Sequence, residues 1–249
     1  MFQLSAAAAI ALLPLLQPVP QGGEVARIRG DSLPLGSGIV RSWVEVDADG
    51  VPVAVGVTLP DSVIASVSDE RSAMLSLELP AVDGLPFRHV LFDWGPGGHP
   101  PAGLYDVPHW DAHFYLITPE RRRAIEQGET SLRPDPRYLP DGFVPVPELG
   151  LHAFPEMGVH WVHRDASELH GDPFDQTVIY GSDGESTIFI EPMFTRAFLA
   201  DRPDVSAPIP QPSAVRREGY YPTRYVIRHA ARERGFRISL EGFRWREGG

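Results

Sequence analysis

The sequence predicts a mostly β protein, a single-domain antiparallel β-barrel or sandwich with one or two short peripheral helices. Three observations carry that prediction. Apolar and polar residues alternate with a period of two in several short runs. The 26 Pro and 24 Gly divide the 249-residue chain into short segments, as turns between strands would. Helical signals are few and brief.

The elements follow in chain order. "MFQLSAAAAIALLPLLQPVPQGG" holds an apolar run over 6–16, which resembles a secretory signal segment leading into a cleavage region. It is too short to span a bilayer comfortably. No positive residue precedes it, and no clean small-x-small site follows. Residues 1–22 are therefore expected to be a signal peptide or a disordered N-terminus, with the protein periplasmic or secreted and not stably inserted in a membrane. Residues 23–249 are expected to form one β-rich domain.

In "SGIVRSWVEVDADGVPVAVGVTL", Val40, Ser42, Val44 and Val46 alternate with Arg41, Trp43, Glu45 and Asp47. DADG then turns the chain into residues 51–59, which predicts a hairpin. Further strands are expected over 73–79, 87–94, 109–117, 158–163, 175–181 and 186–191. "YGSDGE" supplies a hairpin turn between the last two. A closing pair over 223–230 and 236–243 is joined by "ARERG". Thr118, Pro119 and Glu120 mark a helix start, with Gly128 as its stop. "EPMFTRAFLA" holds another one or two helical turns. The Pro-rich stretches 132–147 and 202–222 are expected to be extended connections with little structure of their own.

Composition narrows the chemistry. The chain has no Cys, Lys or Asn, which excludes a thiolate nucleophile, Cys-ligated metal, a disulfide, a lysine Schiff base and an Asn-linked glycan. A net charge of -11 opposes nonspecific binding to nucleic acid or anionic membrane. Residues 214–246 run against that balance, with nine Arg and three Glu. An Arg-rich hairpin docked on an acidic body is the expectation, with a subunit contact or an anionic-ligand rim as alternatives.

The chemistry-bearing stretch is "PHWDAHFY" at 108–115. On a strand, His109, Asp111 and His113 share one face while Trp110, Ala112 and Phe114 line the other. Neighbours at i and i+2 sit about 6.6 Å apart, and His109 and His113 about 13 Å. An adjacent His/Asp pair therefore reaches one ion more easily than all three residues do. His160 in "GVHWV" and Glu191 in "IFIEPMF" are the expected partners. His163 falls on the opposite strand face from His160. His99, in "GPGGHPP", is placed for a lid or an outer ligand. Such a set suits Zn, Mn, Fe or Ni, with Asp111 and Glu191 as the catalytic carboxylates. A polar stripe pairing His with Asp on a solvent-facing sheet is the bland alternative, and acid/base chemistry without metal a further one. No Gly-x-Ser-x-Gly elbow marks a serine hydrolase.

The blocks "RSWVEVDADGVPVAVGV", "GHPPAGLYDVPHWDAHFY", "MGVHWVH", "IYGSDGESTIFIEPM" and "SLEGF" resemble a family of mostly exported bacterial β-proteins classed as a domain of unknown function. The resemblance runs from about Gly38 to Phe243. Its family-like elements are His99, His109, Asp111, His113, Tyr115, Met157, Gly158, His160, Trp161, Glu191 and Pro192, and it implies that the polar residues among them form one site and that the protein self-associates. It supplies no activity. Trp110 and Ala112 stand where the family block carries Phe, which alters packing behind the stripe and leaves its polar residues untouched. A looser likeness to cupins, with strand-borne His and Glu ligands, is analogy only.

Two functional expectations result. One is a secreted β-barrel metalloprotein with a His/carboxylate site and a small-molecule ligand, acting as a metal-dependent hydrolase, lyase or oxygenase. The other is a non-catalytic, homo-oligomeric ligand-binding or envelope stress-response protein whose His stripe is structural or pH-sensing.

Overall fold

The structure, a computed structural model, describes residues 25–130 and 132–249. The expected export segment at 1–22 lies outside the described residues. The chain opens with an antiparallel meander of β1 (Ala26–Leu35), β2 (Gly38–Val46) and β3 (Pro52–Pro60). Alternation on β2 and β3 buries Val40, Val44, Val55 and Val57 in the core. Trp43 points the other way yet is also buried. The Arg27 and Arg237 guanidinium groups lie over its ring at 4.5 and 4.6 Å, and its Nε1 donates to Thr58 Oγ1 at 3.1 Å.

One helical turn, α1 (Asp61–Ile64), leads into β4 (Ala73–Glu78), β5 (His89–Gly95) and β6 (His109–Tyr115). The next helix, α2 (Pro119–Arg123), starts as expected: Thr118 Oγ1 accepts from the Arg121 N–H at 3.3 Å. It stops at Arg123, short of Gly128, and Ile125 beyond its end joins buried Leu91, Ile188 and Phe189. Short strands β7 (Gly128–Glu129), β8 (Phe143–Pro145) and β9 (His152–Ala153) precede β10 (Val159–His163). A hairpin over the Gly184 turn joins β11 (Gln176–Asp183) to β12 (Ser186–Thr195). Then come α3 (Arg196–Ala200), β13 (Asp204–Pro208), β14 (Gly219–Tyr221), the hairpin of β15 (Arg224–Ala230) and β16 (Gly235–Glu241), and β17 (Arg244–Arg246).

Two antiparallel sheets face each other. One has the order β1-β2-β3-β16-β15-β13 and the other β4-β5-β6-β12-β11-β10-β8. Between them lies a core in which Phe92, Trp94, Trp110 and Phe114 of the larger sheet join Val57, Ile227 and Ile238 of the smaller. This is a sandwich, and the barrel alternative is not realised. Proline helps to keep the edges open: β1, β8 and β13 contain Pro34, Pro145 and Pro208, which have no N–H for another strand.

Two further expectations are corrected, and one strand lies where none was expected. The Pro-rich stretches are not structureless, for they supply the edge strands β8 and β13 and the short β14. Proline is tolerated there because an edge strand leaves one row of N–H groups unused. β12 does not end at Glu191 but continues through Pro192 to Thr195, whose hydroxyl caps α3 by accepting from the Phe198 N–H at 3.0 Å. Strand β1 escaped the sequence pattern because, as a mostly exposed edge, it has no buried alternate face.

The Arg-rich segment docks on carboxylates of its own chain. Arg237 pairs with Glu45 at 2.8 Å, and Arg228 with Asp204. Among the described residues no helix is long and apolar enough to cross a membrane.

Trp110 stacks obliquely on Trp94, with ring centroids 4.3 Å apart, and is fully buried. Trp110→Ala is expected to cost about 3–5 kcal/mol of stability, read from urea denaturation. A cost below about 1 kcal/mol would contradict this packing.

Candidate metal centre

β6 lies between β5 and β12, and both of its faces are buried. Trp110, Ala112 and Phe114 point into the core, as the alternation requires. His109, Asp111, His113 and Tyr115 therefore point to the opposite face. That face is not open to water. Residues of the covering loops, Tyr105, Val146 and Phe174, cluster over it with Val162, Ile179 and Met193. The solvent-facing stripe is thus excluded.

Strand register brings the partners in. Asp93 sits directly opposite Asp111, and Leu91 opposite His113. On the other side Ile190 pairs with Phe114 and Met193 with Asp111, so Glu191 falls opposite His113. His160 pairs with Gly181 two strands further on. The glycine is required there: a Cβ at Gly181 would lie 2.0 Å from the Phe189 ring. That ring packs on both His113 and His160, at 4.9 and 5.5 Å between centroids.

The polar residues form two groups. In each, one donor atom per residue lies within 4.8 Å of the other two. The first is His113, His160 and Glu191, with His113 Nε2 3.2 Å from Glu191 Oε1 and His160 Nε2 4.0 Å from Oε2. The second is His99, His109 and Asp111, with His109 Nε2 3.0 Å from Oδ1 and His99 Nε2 3.8 Å from Oδ2. All six expected site residues are thus gathered, but the His-x-Asp-x-His triplet is divided between two groups. Strand spacing is the reason. His109 turns to its neighbour Asp111, whereas His113 turns across the sheet to Glu191. His163 stays apart, with Nδ1 3.9 Å from Asp165.

Backbone contacts define the ring orientations. His109 Nδ1 lies 2.7 Å from the Val107 carbonyl and His99 Nδ1 2.8 Å from that of Pro100. A proton on each Nδ1 leaves Nε2 facing Asp111 as a lone-pair donor. Among the described residues both groups hold atoms without hydrogen-bond partners, including His109 Nε2 and Asp111 Oδ1 of the second. Both ring nitrogens of His113, Nδ1 of His160, Oε2 of Glu191 and both carboxylate oxygens of Asp93 are buried without hydrogen-bond partners among the described residues.

Burial dominates the electrostatics. It pulls His113 down to about 4, against the opposing charge of Asp111. His160 falls to about 3 through burial, reinforced by His113 and His99. Both rings are neutral at pH 7, the form that binds metal. Burial also raises Glu191 well above the usual carboxylate range, with Asp111 and Asp93 adding repulsion. Asp93 is raised in the same way, by burial and then by Asp111. For His109, burial acts downward, but the charge and hydrogen-bonding of Asp111 and the Val107 carbonyl together outweigh it and the net shift is upward. Asp111 moves down: burial would raise it, and His109, His99 and His113 together prevail.

Asp93 and His89 were not singled out from sequence, although a signal existed. In "RHVLFDWG" they alternate with Val90, Phe92 and Trp94, which assigns them to the site face. Asp93 Oδ2 lies 3.5 Å from His113 Nδ1. His89 stacks on Tyr115 at 4.7 Å, and burial lowers it to about 4.

A cavity of about 170 Å³ opens onto both groups. Its walls are apolar, from Val146, Leu149, Phe154, Met157 and Ile179, while His99, Pro100 and Tyr105 complete its lining. His99 is 41% exposed, so the cavity meets solvent on its side. The fold and site thus define a β-sandwich with a buried His/carboxylate centre. Comparison with known protein families, curated proteins and solved structures gives no match.

Glu191 provides a test of this electrostatic arrangement. Its folded-state pKa is raised, so its contribution to stability is fully present below the unfolded value near 4.5 and is lost as pH rises through the folded value. Each unit in that window costs about 1.4 kcal/mol. In metal-free protein Glu191→Gln is expected to gain on wild type between pH 5 and pH 8 in urea denaturation. Parallel pH profiles would contradict a desolvated carboxylate.

Proposed function

We propose that the protein is a metal-dependent enzyme whose ion is held by His113, His160 and Glu191. The carrying observation is the convergence of His113, His160 and Glu191 on one small cavity, with His113 Nε2 and Glu191 Oε2 buried there without hydrogen-bond partners among the described residues. Leaving each such atom unpaired costs about 1–3 kcal/mol, and one ion would satisfy both. The spacing supports this. Ligand atoms about 2.0–2.1 Å from one ion are roughly 2.8–3.4 Å apart in octahedral or tetrahedral arrangement, a range that includes the 3.2 Å between His113 and Glu191. His160 Nε2 needs only a small inward movement.

Two imidazoles and one carboxylate suit Zn, Mn, Fe or Ni and leave coordination positions open. Such an ion would polarise a bound carbonyl or lower the pKa of a bound water. This chain's own groups do the rest. Asp93 faces the outer nitrogen of His113, the position from which a carboxylate orients a ligating imidazole. Asp111 stays ionised beside protonatable His109 and lines the same cavity, which suits it to take a proton and pass it on. The apolar walls exclude bulk water and fit a substrate portion about the size of one ring. Hydrolytic, lyase and dioxygen chemistry are all compatible with this set. The apolar run at 6–16 supports export as part of the same reading.

Purified without a His tag, the protein is expected to bind one transition-metal ion per chain at the first group, measured by metal analysis after dialysis. His160→Ala should abolish stoichiometric loading. Equal, negligible metal in both proteins would overturn the proposal. Because burial raises Glu191 toward its protonated form while His113 and His160 are already neutral, any proton released on loading comes from Glu191. Affinity should therefore rise with pH. Calorimetry in buffers of different ionisation heat reads this directly.

Asp93→Asn should weaken metal affinity about 10–100-fold while leaving the far-UV circular dichroism unchanged. Undiminished affinity would remove Asp93 from the site.

A further inference from the structure

A second cavity of about 170 Å³ lies on the other side of the large sheet. There the core-facing residues Tyr180 and Ile190 of β11 and β12 meet the Pro-rich connection at 211–217 and the last strand, β17. Its walls are largely apolar, with Leu116, Tyr180, Ile190, Val215 and Tyr221 among them. Its charges are all of one sign. Arg216, Arg217 and Arg246 line it, and no carboxylate does, although the whole chain carries -11.

Arg246 is the distinctive group. Its Nη2 donates to the Pro212 carbonyl at 2.9 Å, which holds the guanidinium in place. Its Nη1 is buried without a hydrogen-bond partner among the described residues. Arg216 faces outward, 48% exposed and 3.6 Å from Glu185. A guanidinium fork with a free N–H matches a carboxylate. A cavity of about 150 Å³ lined by apolar side chains accepts benzene, so the volume here suits one ring or about six carbons. A phosphate dianion would lose more hydration against these walls than a singly charged carboxylate.

We infer that this cavity binds a small hydrophobic monocarboxylate, its apolar body among Leu116, Tyr180 and Ile190 and its carboxylate on Arg246. The site is separate from the proposed metal centre and does not rest on it.

Isothermal titration of the full chain at pH 7 with benzoate and hexanoate, against benzyl alcohol and 1-hexanol, tests the inference. At least one acid should bind saturably at one site, at least tenfold more tightly than its alcohol. Affinity should fall at least tenfold in Arg246→Gln, vanish in Ala214→Trp, which fills the cavity, and persist in His160→Ala. Absence of saturable binding by both acids, equal binding of the alcohols, or full affinity in Arg246→Gln would overturn it. Loss in His160→Ala would also overturn it, by assigning the acid to the metal centre. Should Arg246→Gln fail to fold, Ala214→Trp and the comparison of acid with alcohol still decide.

Discussion

The organising constraint is that β6 has no solvent face. A central strand normally offers one face to the core and can leave the other to water. Here loops from three parts of the chain cover the second face, so a row of imidazoles and carboxylates is desolvated together. Burial of this kind is costly unless the groups are paired, neutralised or bound to an ion. Both of the first two responses are present. His109 Nε2 lies 3.0 Å from Asp111, which raises the pKa of the one and lowers that of the other, while burial favours the neutral forms of Glu191, Asp93, His113 and His160.

That division gives the centre two kinds of chemistry within one cavity. The first group presents buried donor atoms without hydrogen-bond partners among the described residues, and the His109–Asp111 pair lies beside it. Their separation follows from strand geometry, since groups two residues apart on one strand are too far apart to serve one ion equally well. The same sheet isolates this chemistry from the Arg-lined cavity on its other side. One seven-stranded sheet therefore backs two cavities of different lining, one with His and carboxylate residues, the other with Arg from segments packed against the sheet.

Much of this was legible in the sequence because strand alternation has a period of two. It placed Trp110, Ala112 and Phe114 together in the core and His109, Asp111 and His113 together on the opposite face. It separated His160 from His163. The same rule read on 89–94 assigns His89 and Asp93 to the site face, but a single charged residue inside an apolar run is easily passed over. Less legible were the edge strands β1, β8 and β13. An exposed edge has no buried alternate face to leave a pattern, and proline in it resembles a loop. β12 likewise continued through Pro192 because pairing on both sides outweighed one missing N–H donor.

From the sequence alone came the donor chemistry and the face that each donor shares with its neighbours on the same strand, since both follow from residue type and local periodicity. The tertiary structure decided register, cover and grouping. Only the pairing of β5, β6 and β12 places Asp93 and Glu191 beside His113, and only the overlying loops turn a polar stripe into a buried centre. These are contacts between residues far apart in the chain, and the alternation of any one strand is the same whichever neighbour it pairs with.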